Sequence, residues 1–353
     1  MTSSSLVEAR ERATTPSVKT SRCPGIFLAL NPLEHSLFFP SLVREDFPPQ
    51  RFLNTEAPAA VWRETLEDAC PEILVTSWST PPLPLDWITR LDNPLRYVCH
   101  VTGTVRHIVP RQFLERGGRL TNWGGLAARE VAEHALLLAL GALRRMPRWP
   151  GLEVKAGGPS STVLLRTRTL FGCRVGLHGF GGVARTLRNL LRAFGVTVRV
   201  FAPGVPLAVF QHHEVEPCSS LTDLFADSDV LFECEALTPL SRRSVSAPVL
   251  AALPDGALFV NIARGQIVDE EALLAEARQG RIHLALDVLN AEPPPMDSPF
   301  SRLPNVLYSP HLAGPTFDSL PACGEFALRN VDHYLRGEPL ESEIDLEIYD
   351  RST

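Results

Sequence analysis

The chain has 353 residues, of which 44% are hydrophobic and 21% are charged, and its formal net charge is −6. This composition is typical of a globular protein with about two domains, and the absence of a basic excess argues against nucleic-acid binding. No apolar run reaches the ~18–20 residues of a membrane span, and residues 1–22 read as a polar tail without a signal-peptide core. The seven cysteines form no Cys-x-x-Cys pair, which predicts a cytoplasmic protein without disulfides or a cysteine-bound zinc.

Three short apolar runs in the first third of the chain predict buried strands over residues 24–30, 72–78 and 96–102. With helical segments between them, they indicate a small α/β layer over residues 1–122. Residues 126–146 are apolar on nearly every face, which predicts a buried helix between two domains. Because Glu133 and His134 lie inside this helix, we expect them to have a structural role in a polar cluster between the domains.

The pattern then changes to regular alternation of strands and helices, of which the helix over 269–279 is the clearest. The predicted strands are 173–178, 196–201, 229–233, 257–261, 283–288 and 305–309. Such alternation predicts a doubly wound parallel sheet. A last helix over 316–335 is expected to return to the first domain and to make that domain discontinuous.

A glycine-rich turn follows the first of these six strands and precedes a predicted helix over 185–194. It reads Gly179-Phe180-Gly181-Gly182-Val183-Ala184. In this pattern Gly179 permits a tight turn, Gly181 lets the backbone approach a pyrophosphate, and Ala184 keeps the helix close to the strand. The helix N-terminus adds N–H groups and positive potential, so the turn predicts a dinucleotide site.

The adenosine ribose is usually held by an acid at the end of the second strand of such a unit. Here Ala202 occupies that position, and no arginine follows directly to bind a 2′-phosphate. NAD and NADP therefore both remain possible cofactors.

From about residue 96 to 335 the chain resembles the D-isomer-specific 2-hydroxyacid dehydrogenases. The similar segments are residues 131–134, the glycine turn, and residues 260–274, 284–295 and 309–314. The resemblance implies two doubly wound domains: a Rossmann dinucleotide-binding domain over 123–314, inserted in a flavodoxin-like substrate domain over 1–122 plus 315–353. It also implies hydride transfer between NAD(P) and C2 of a small 2-hydroxy or 2-keto acid, and a homodimer.

The resemblance assigns roles to four residues that follow predicted strands. Arg264 would clamp the substrate carboxylate with its guanidinium and polarise the adjacent oxygen. His311 would exchange a proton with that oxygen, and Glu292 would hydrogen-bond His311 and raise its pKa. Asp287 would contact the nicotinamide carboxamide or ribose.

The resemblance also implies further contacts with the substrate and with the cofactor. Gly103 and Thr104 would offer backbone N–H groups to the substrate, and the cofactor would also contact Ala202, Thr238, Ile262, Ala263 and Gly314.

The chain departs from the family pattern at two places. Arg106 replaces the usual Asp and either faces solvent, which we favour, or contacts a second anionic group of the substrate. Residues 234–238 replace a His-x-Pro-x-Thr pattern, which puts details of the adenine contact in doubt.

Two other functions stay open on sequence alone. One is an NAD(H)-sensing binding module without turnover, and the other is a dehydrogenase of another small anion such as formate or phosphite.

No third ligand lies at metal-like spacing from His178, His212 or His213, so we expect these to be surface or loop residues and predict no metal site.

Overall fold

The computed structural model describes residues 25–41, 51–150, 152–153, 158–295 and 297–351, without the side chains of Arg51 and Ala59. The predicted tail over 1–22 and Cys23 therefore lie outside the described residues. The six cysteines that are described are free. In the described part of the chain, no helix is long and apolar enough to cross a membrane.

The first sheet has five parallel strands in the order β2-β1-β3-β4-β5. They are β1 (Ile26–Ala29), β2 (Arg51–Phe52), β3 (Ile73–Thr76), β4 (Tyr97–His100) and β5 (Arg119–Thr121). The helices of this part are α1 (Pro32–Phe38), α2 (Ala59–Ala69), α3 (Leu85–Ile88) and α4 (Arg111–Glu115). This is the flavodoxin-like strand order. The three predicted strands are present, whereas β2 and β5 are too short to produce a periodic signal.

The second sheet has seven parallel strands in the order β12-β11-β10-β9-β6-β7-β8. They are β6 (Arg174–His178), β7 (Thr197–Phe201), β8 (Glu216–Pro217), β9 (Val230–Glu233), β10 (Leu258–Asn261), β11 (His283–Leu286) and β12 (Val306–Tyr308). The helices are α5 (Ala128–Leu143), α6 (Ser161–Leu165), α7 (Gly182–Leu191), α8 (Leu207–His213), α9 (Leu221–Ala226), α10 (Ala247–Ala252) and α11 (Glu270–Gln279). The order is that of a Rossmann sheet extended by β12. All six predicted strands are present, and only the two-residue β8 was missed.

Helix α5 packs on α7 and on strands β10 to β12, because its small residues allow close approach. The prediction that it is buried on nearly every face is wrong. Leu137 is 54% exposed and Glu133 is also exposed. His134 does join a polar cluster, described below, but its partners belong to the seven-stranded sheet rather than to a second domain.

The chain returns to the first sheet through α12 (Leu320–Arg336), as predicted, and ends with α13 (Leu346–Arg351). Helix α12 packs against α1 and β4, and its Gly324 touches the carbonyl of Phe38 so closely that a side chain there would clash. The five-stranded unit is thus built from both ends of the chain. The domain limits at residues 122 and 315 stay predictions.

Candidate active site

The glycine turn joins β6 to α7 at the carboxyl edge of the seven-stranded sheet. Gly179 has φ +84°, and a Cβ there would lie 2.7 Å from Cα of Glu235. Gly181 and Gly182 are exposed, and α7 begins at Gly182 without a side-chain cap. The backbone at Gly181 and Gly182 is thus accessible from outside, which fits the close approach of a dinucleotide pyrophosphate. Phe180, Val183 and Ala184 are wholly or partly buried and join the turn to the core.

His178, immediately before the turn, is not the surface or loop residue that the sequence analysis expected. It lies inside β6, and its Nδ1–H donates to Glu233 Oε2 at 2.6 Å. The error arose because a lone histidine carries no sequence signal for a partner 55 residues away on an adjacent strand. His212 and His213 lie at the end of α8, and His213 contacts the Phe180 ring edge-on. In the described residues, no group of three His, Cys, Asp or Glu could hold a metal ion.

The ends of β7 and β9 border the glycine turn on its adenosine side. Ala202 is half-buried, and the Gly179 N–H donates to the Phe201 carbonyl beside it at 2.9 Å. Thr238 lies in the loop after β9, where its N–H donates to Ser241 Oγ at 2.7 Å. Neither position carries a charge that would select between a 2′-hydroxyl and a 2′-phosphate, so both NAD and NADP remain compatible with them.

Arg264 follows β10 and reaches the loop after β4 of the other sheet. Its Nη1 donates to the Ala263 carbonyl at 2.6 Å, and its Nη2 donates to Thr104 Oγ1 at 3.2 Å. Burial lowers the pKa of Arg264, and Glu292 acts in the opposite direction. Ile262 and Ala263 are buried beside it, and Gly265 packs against the Leu289 backbone where no side chain would fit. The guanidinium is thus held by contacts from both sheets.

His311 and Glu292 form a pair at the same edge of the sheet. Nδ1–H of His311 donates to Glu292 Oε2 at 2.5 Å, and this hydrogen bond is the main reason that the pKa of His311 is raised. The Arg264 charge opposes this increase, so the three groups lie within electrostatic reach of one another. The imidazole is 49% exposed, and because Nδ1 is engaged, Nε2 is the nitrogen left for proton exchange.

Asp287 is buried and holds the loop that carries His311. Its carboxylate accepts hydrogen bonds from Ser309 Oγ at 2.5 Å and from the N–H groups of Leu312 and Ala313 at 2.8 and 3.1 Å. His134 Nε2 lies 3.2 Å from the same carboxylate. Burial alone would raise the pKa of Asp287, but these hydrogen bonds outweigh it and lower the pKa. Both oxygens thus have protein partners, and the predicted contact with nicotinamide stays a prediction.

The loop after β4 carries Gly103 and Thr104, whose contacts with substrate stay predictions. The indole of Trp123 covers Gly103, where an added Cβ would lie within 3 Å of the ring. Arg106 is exposed and its guanidinium lies over the Tyr349 ring at 5.8 Å, and its role towards the substrate stays a prediction. Gly314 is half-buried after the His311 loop, and a Cβ added there would meet no atom within 4 Å. The contact of Trp123 with Gly103 was not predicted, because Trp123 lies outside the family motifs and the sequence around it carries no signal for this contact.

Comparison with known proteins decides the family. A model of the family described as "D-isomer specific 2-hydroxyacid dehydrogenase, NAD binding domain" matches residues 136–313. The chain is 30% identical over 259 residues to the glyoxylate reductase/hydroxypyruvate reductase of Mus musculus, covering 71% of this chain and 77% of that one. The chain belongs to the D-isomer specific 2-hydroxyacid dehydrogenase family.

A second relative is the D-3-phosphoglycerate dehydrogenase of Methanocaldococcus jannaschii, 28% identical over 233 residues. That match covers 66% of this chain but only 44% of the archaeal enzyme. The fold is similar to that of a glyoxylate reductase from Paecilomyes thermophila, with a TM-score of 0.75, 21% identity and coverage of 90% and 97%. The predicted family, α/β fold class and NAD or NADP as cofactor class are therefore confirmed. The roles of individual residues stay predictions.

Proposed function

We propose that this member of the family interconverts a small 2-keto acid and its 2-hydroxy acid with NAD(P). The observation that carries the proposal is the convergence of Arg264 with the His311–Glu292 pair at the edge of the seven-stranded sheet, beside Thr104 of the other sheet. When bound at the glycine turn, the dinucleotide would supply or accept the hydride at C2.

Arg264 would bind the substrate carboxylate. The guanidinium contacts the Ala263 carbonyl through Nη1 and Thr104 Oγ1 through Nη2, and a planar guanidinium matches the geometry of a carboxylate. Those same contacts hold the side chain in place, which reduces the entropy lost when substrate binds. Its positive charge would also stabilise the negative charge that develops on the substrate oxygen during reduction.

His311 would supply the proton in reduction and take it back in oxidation. The raised pKa keeps a larger protonated fraction near neutral pH, which suits donation to an alkoxide oxygen. Glu292 would orient the His311 ring and compensate its positive charge, and Asp287 would hold the loop that carries His311 through its hydrogen bonds with the loop backbone. We infer that Arg264, Glu292 and His311 are the catalytic residues.

The substrate itself is proposed at the level of a class. Relatives of this chain are named for glyoxylate, hydroxypyruvate and phosphoglycerate, and all three are small carboxylic acids that carry an oxygen on C2. Gly103 and Thr104 would meet this acid from the substrate side.

We further propose a homodimer. Among the described residues between 137 and 171, five large apolar side chains are exposed, namely Leu137, Trp149, Val163, Leu164 and Phe171. Covering them in a second copy would remove this apolar surface from water. Sedimentation of the wild type as a dimer and of Leu137→Glu as a monomer is expected, and a monomeric wild type would refute this. A cytoplasmic location also stays a proposal.

The decisive experiment is a screen of 2-keto acids with NADH and NADPH in parallel, followed by absorbance at 340 nm. Glyoxylate, pyruvate, hydroxypyruvate, phosphohydroxypyruvate and bulky aryl or branched keto acids form the panel. Turnover of at least one keto acid is expected. Cofactor binding without turnover of any of these keto acids would refute the proposed enzymatic activity. Oxidation of formate or phosphite alone would refute the proposed substrate class.

A further inference from the structure

A buried ion pair lies below the glycine turn, and the reaction proposed above does not use it. His178 is the last residue of β6 and Glu233 the last of β9, and the two are partners in the parallel register. Their side chains are 4% and 0% exposed, and the hydrogen bond between them is 2.6 Å long. Burying two charges costs desolvation energy, and an apolar pair at such positions is often as stable. The stability of the sheet alone therefore does not explain this pair.

The pair is connected directly to the backbone of the turn. Glu233 Oε1 accepts the N–H of Glu235 at 3.0 Å, and the Cys234 N–H donates to the His178 carbonyl at 2.9 Å. Glu235 in turn packs against Gly179, the first glycine of the turn. Residues 178–179 and 233–235 thus form one hydrogen-bonded block, and a change in the charge of the pair acts at the base of the turn.

The charges around His178 are predominantly negative. Burial alone would lower its pKa, but Glu233 and then Glu235 raise it above the ordinary value. From β7 the Phe201 ring, which carries no charge, lies 6.0 Å from the imidazole. Burial raises the pKa of the neighbouring Cys234 well above its usual range, so this thiol stays neutral. His178 is therefore the cation that compensates Glu233.

Helix α9, which packs on the same face of β6, carries two further acids that are engaged elsewhere. Asp227 is paired with Arg174 at the opposite end of β6 and with Arg199. The Asp223 carboxylate accepts a hydrogen bond from Ser219 Oγ at 2.8 Å, and the Asp223 backbone N–H donates to Ser220 Oγ, which caps α9. Because these two acids are engaged elsewhere, the net charge of the His178–Glu233 pair next to the glycine turn depends on whether His178 is protonated.

We propose that His178 and Glu233 are positioning residues for the dinucleotide, and that the proton on His178 makes the turn receptive to the pyrophosphate. With the proton in place, the pair is neutral overall. Without it, a buried carboxylate with no countercharge remains below a turn that must hold two negative phosphates. This inference rests on the proposed dinucleotide-binding function.

The test measures the Kd of NADH from pH 6 to pH 9.5, by the change in protein and NADH fluorescence. For the wild type we expect affinity to weaken roughly tenfold as pH rises through the titration of His178. Glu233→Gln keeps an acceptor for the Glu235 N–H but removes the charge, so its affinity is expected to lose this pH dependence. His178→Gln leaves Glu233 uncompensated and should bind NADH weakly at every pH. The double variant should recover affinity.

The control is Glu338→Gln, which alters a distant His–Glu pair with His333 on α12 and should keep the wild-type profile. The titration of His311 is present in all variants, so the difference between the wild type and Glu233→Gln isolates the buried pair. A wild-type pH profile of NADH affinity in Glu233→Gln, or wild-type NADH affinity in His178→Gln, would overturn this inference but not the proposed function. If His178→Gln does not fold, Glu233→Gln and the double variant still decide. Failure of the wild type to bind NADH or NADPH would overturn the proposed function, and the inference with it.

Discussion

Replacing Arg264 by alanine removes the guanidinium that we propose holds the substrate carboxylate. A charge-assisted hydrogen bond contributes about 1.5–3 kcal/mol, and two of them would be lost in a bidentate contact. Water in the vacated space recovers part of this. We therefore expect kcat/KM to fall at least ~100-fold, which corresponds to about 2.7 kcal/mol of transition-state stabilisation.

Arg264→Lys refines this expectation. It keeps the positive charge but not the planar fork that contacts both Ala263 and Thr104. Its kcat/KM is expected to lie between those of the wild type and the alanine variant. An effect on kcat as well as on KM is expected, because the same charge acts on the reacting oxygen.

The assay is steady-state oxidation of NADH at 340 nm with the best keto acid of the panel. The matched control is Arg278→Ala, an exposed arginine in the last turn of α11, which should leave kcat/KM within about twofold. Binding of NADH should persist in Arg264→Ala. Activity of Arg264→Ala within tenfold of the wild type would refute the proposed carboxylate contact.

Three other predictions concern His311, the glycine turn and Arg106. Glu292→Gln removes the group that raises the pKa of His311, so the loss of reductase activity with rising pH should begin at lower pH; a pH profile of kcat/KM that does not move this way contradicts the pairing. Gly179→Ala forces a Cβ onto the Glu235 backbone at positive φ and should destabilise the fold by about 2 kcal/mol or more, measurable as a lower Tm; an unchanged Tm argues against the close approach. Arg106→Ala should change kcat/KM for a monocarboxylate by less than about threefold, and a large loss would place Arg106 at the substrate.

The local elements of the fold were predictable because their signals lie in neighbouring residues. Apolar runs bounded by polar residues located nine of the twelve strands that the described residues form, and the glycine spacing between a strand and a helix located the turn. The three missed strands, β2, β5 and β8, have two or three residues each. Such strands form because a neighbouring strand offers hydrogen bonds, which no local pattern records.

The sequence by itself determined the alternation of strands and helices, the dinucleotide turn and, through family segments, the identities of Arg264, Glu292 and His311. Only the tertiary structure decided which of these groups meet. The contact between Arg264 and Thr104 joins residues 160 positions apart, and that between His178 and Glu233 joins residues 55 apart. The physical reason is that backbone geometry and apolar periodicity are local, whereas a hydrogen bond or ion pair depends on which strand ends and faces packing brings together.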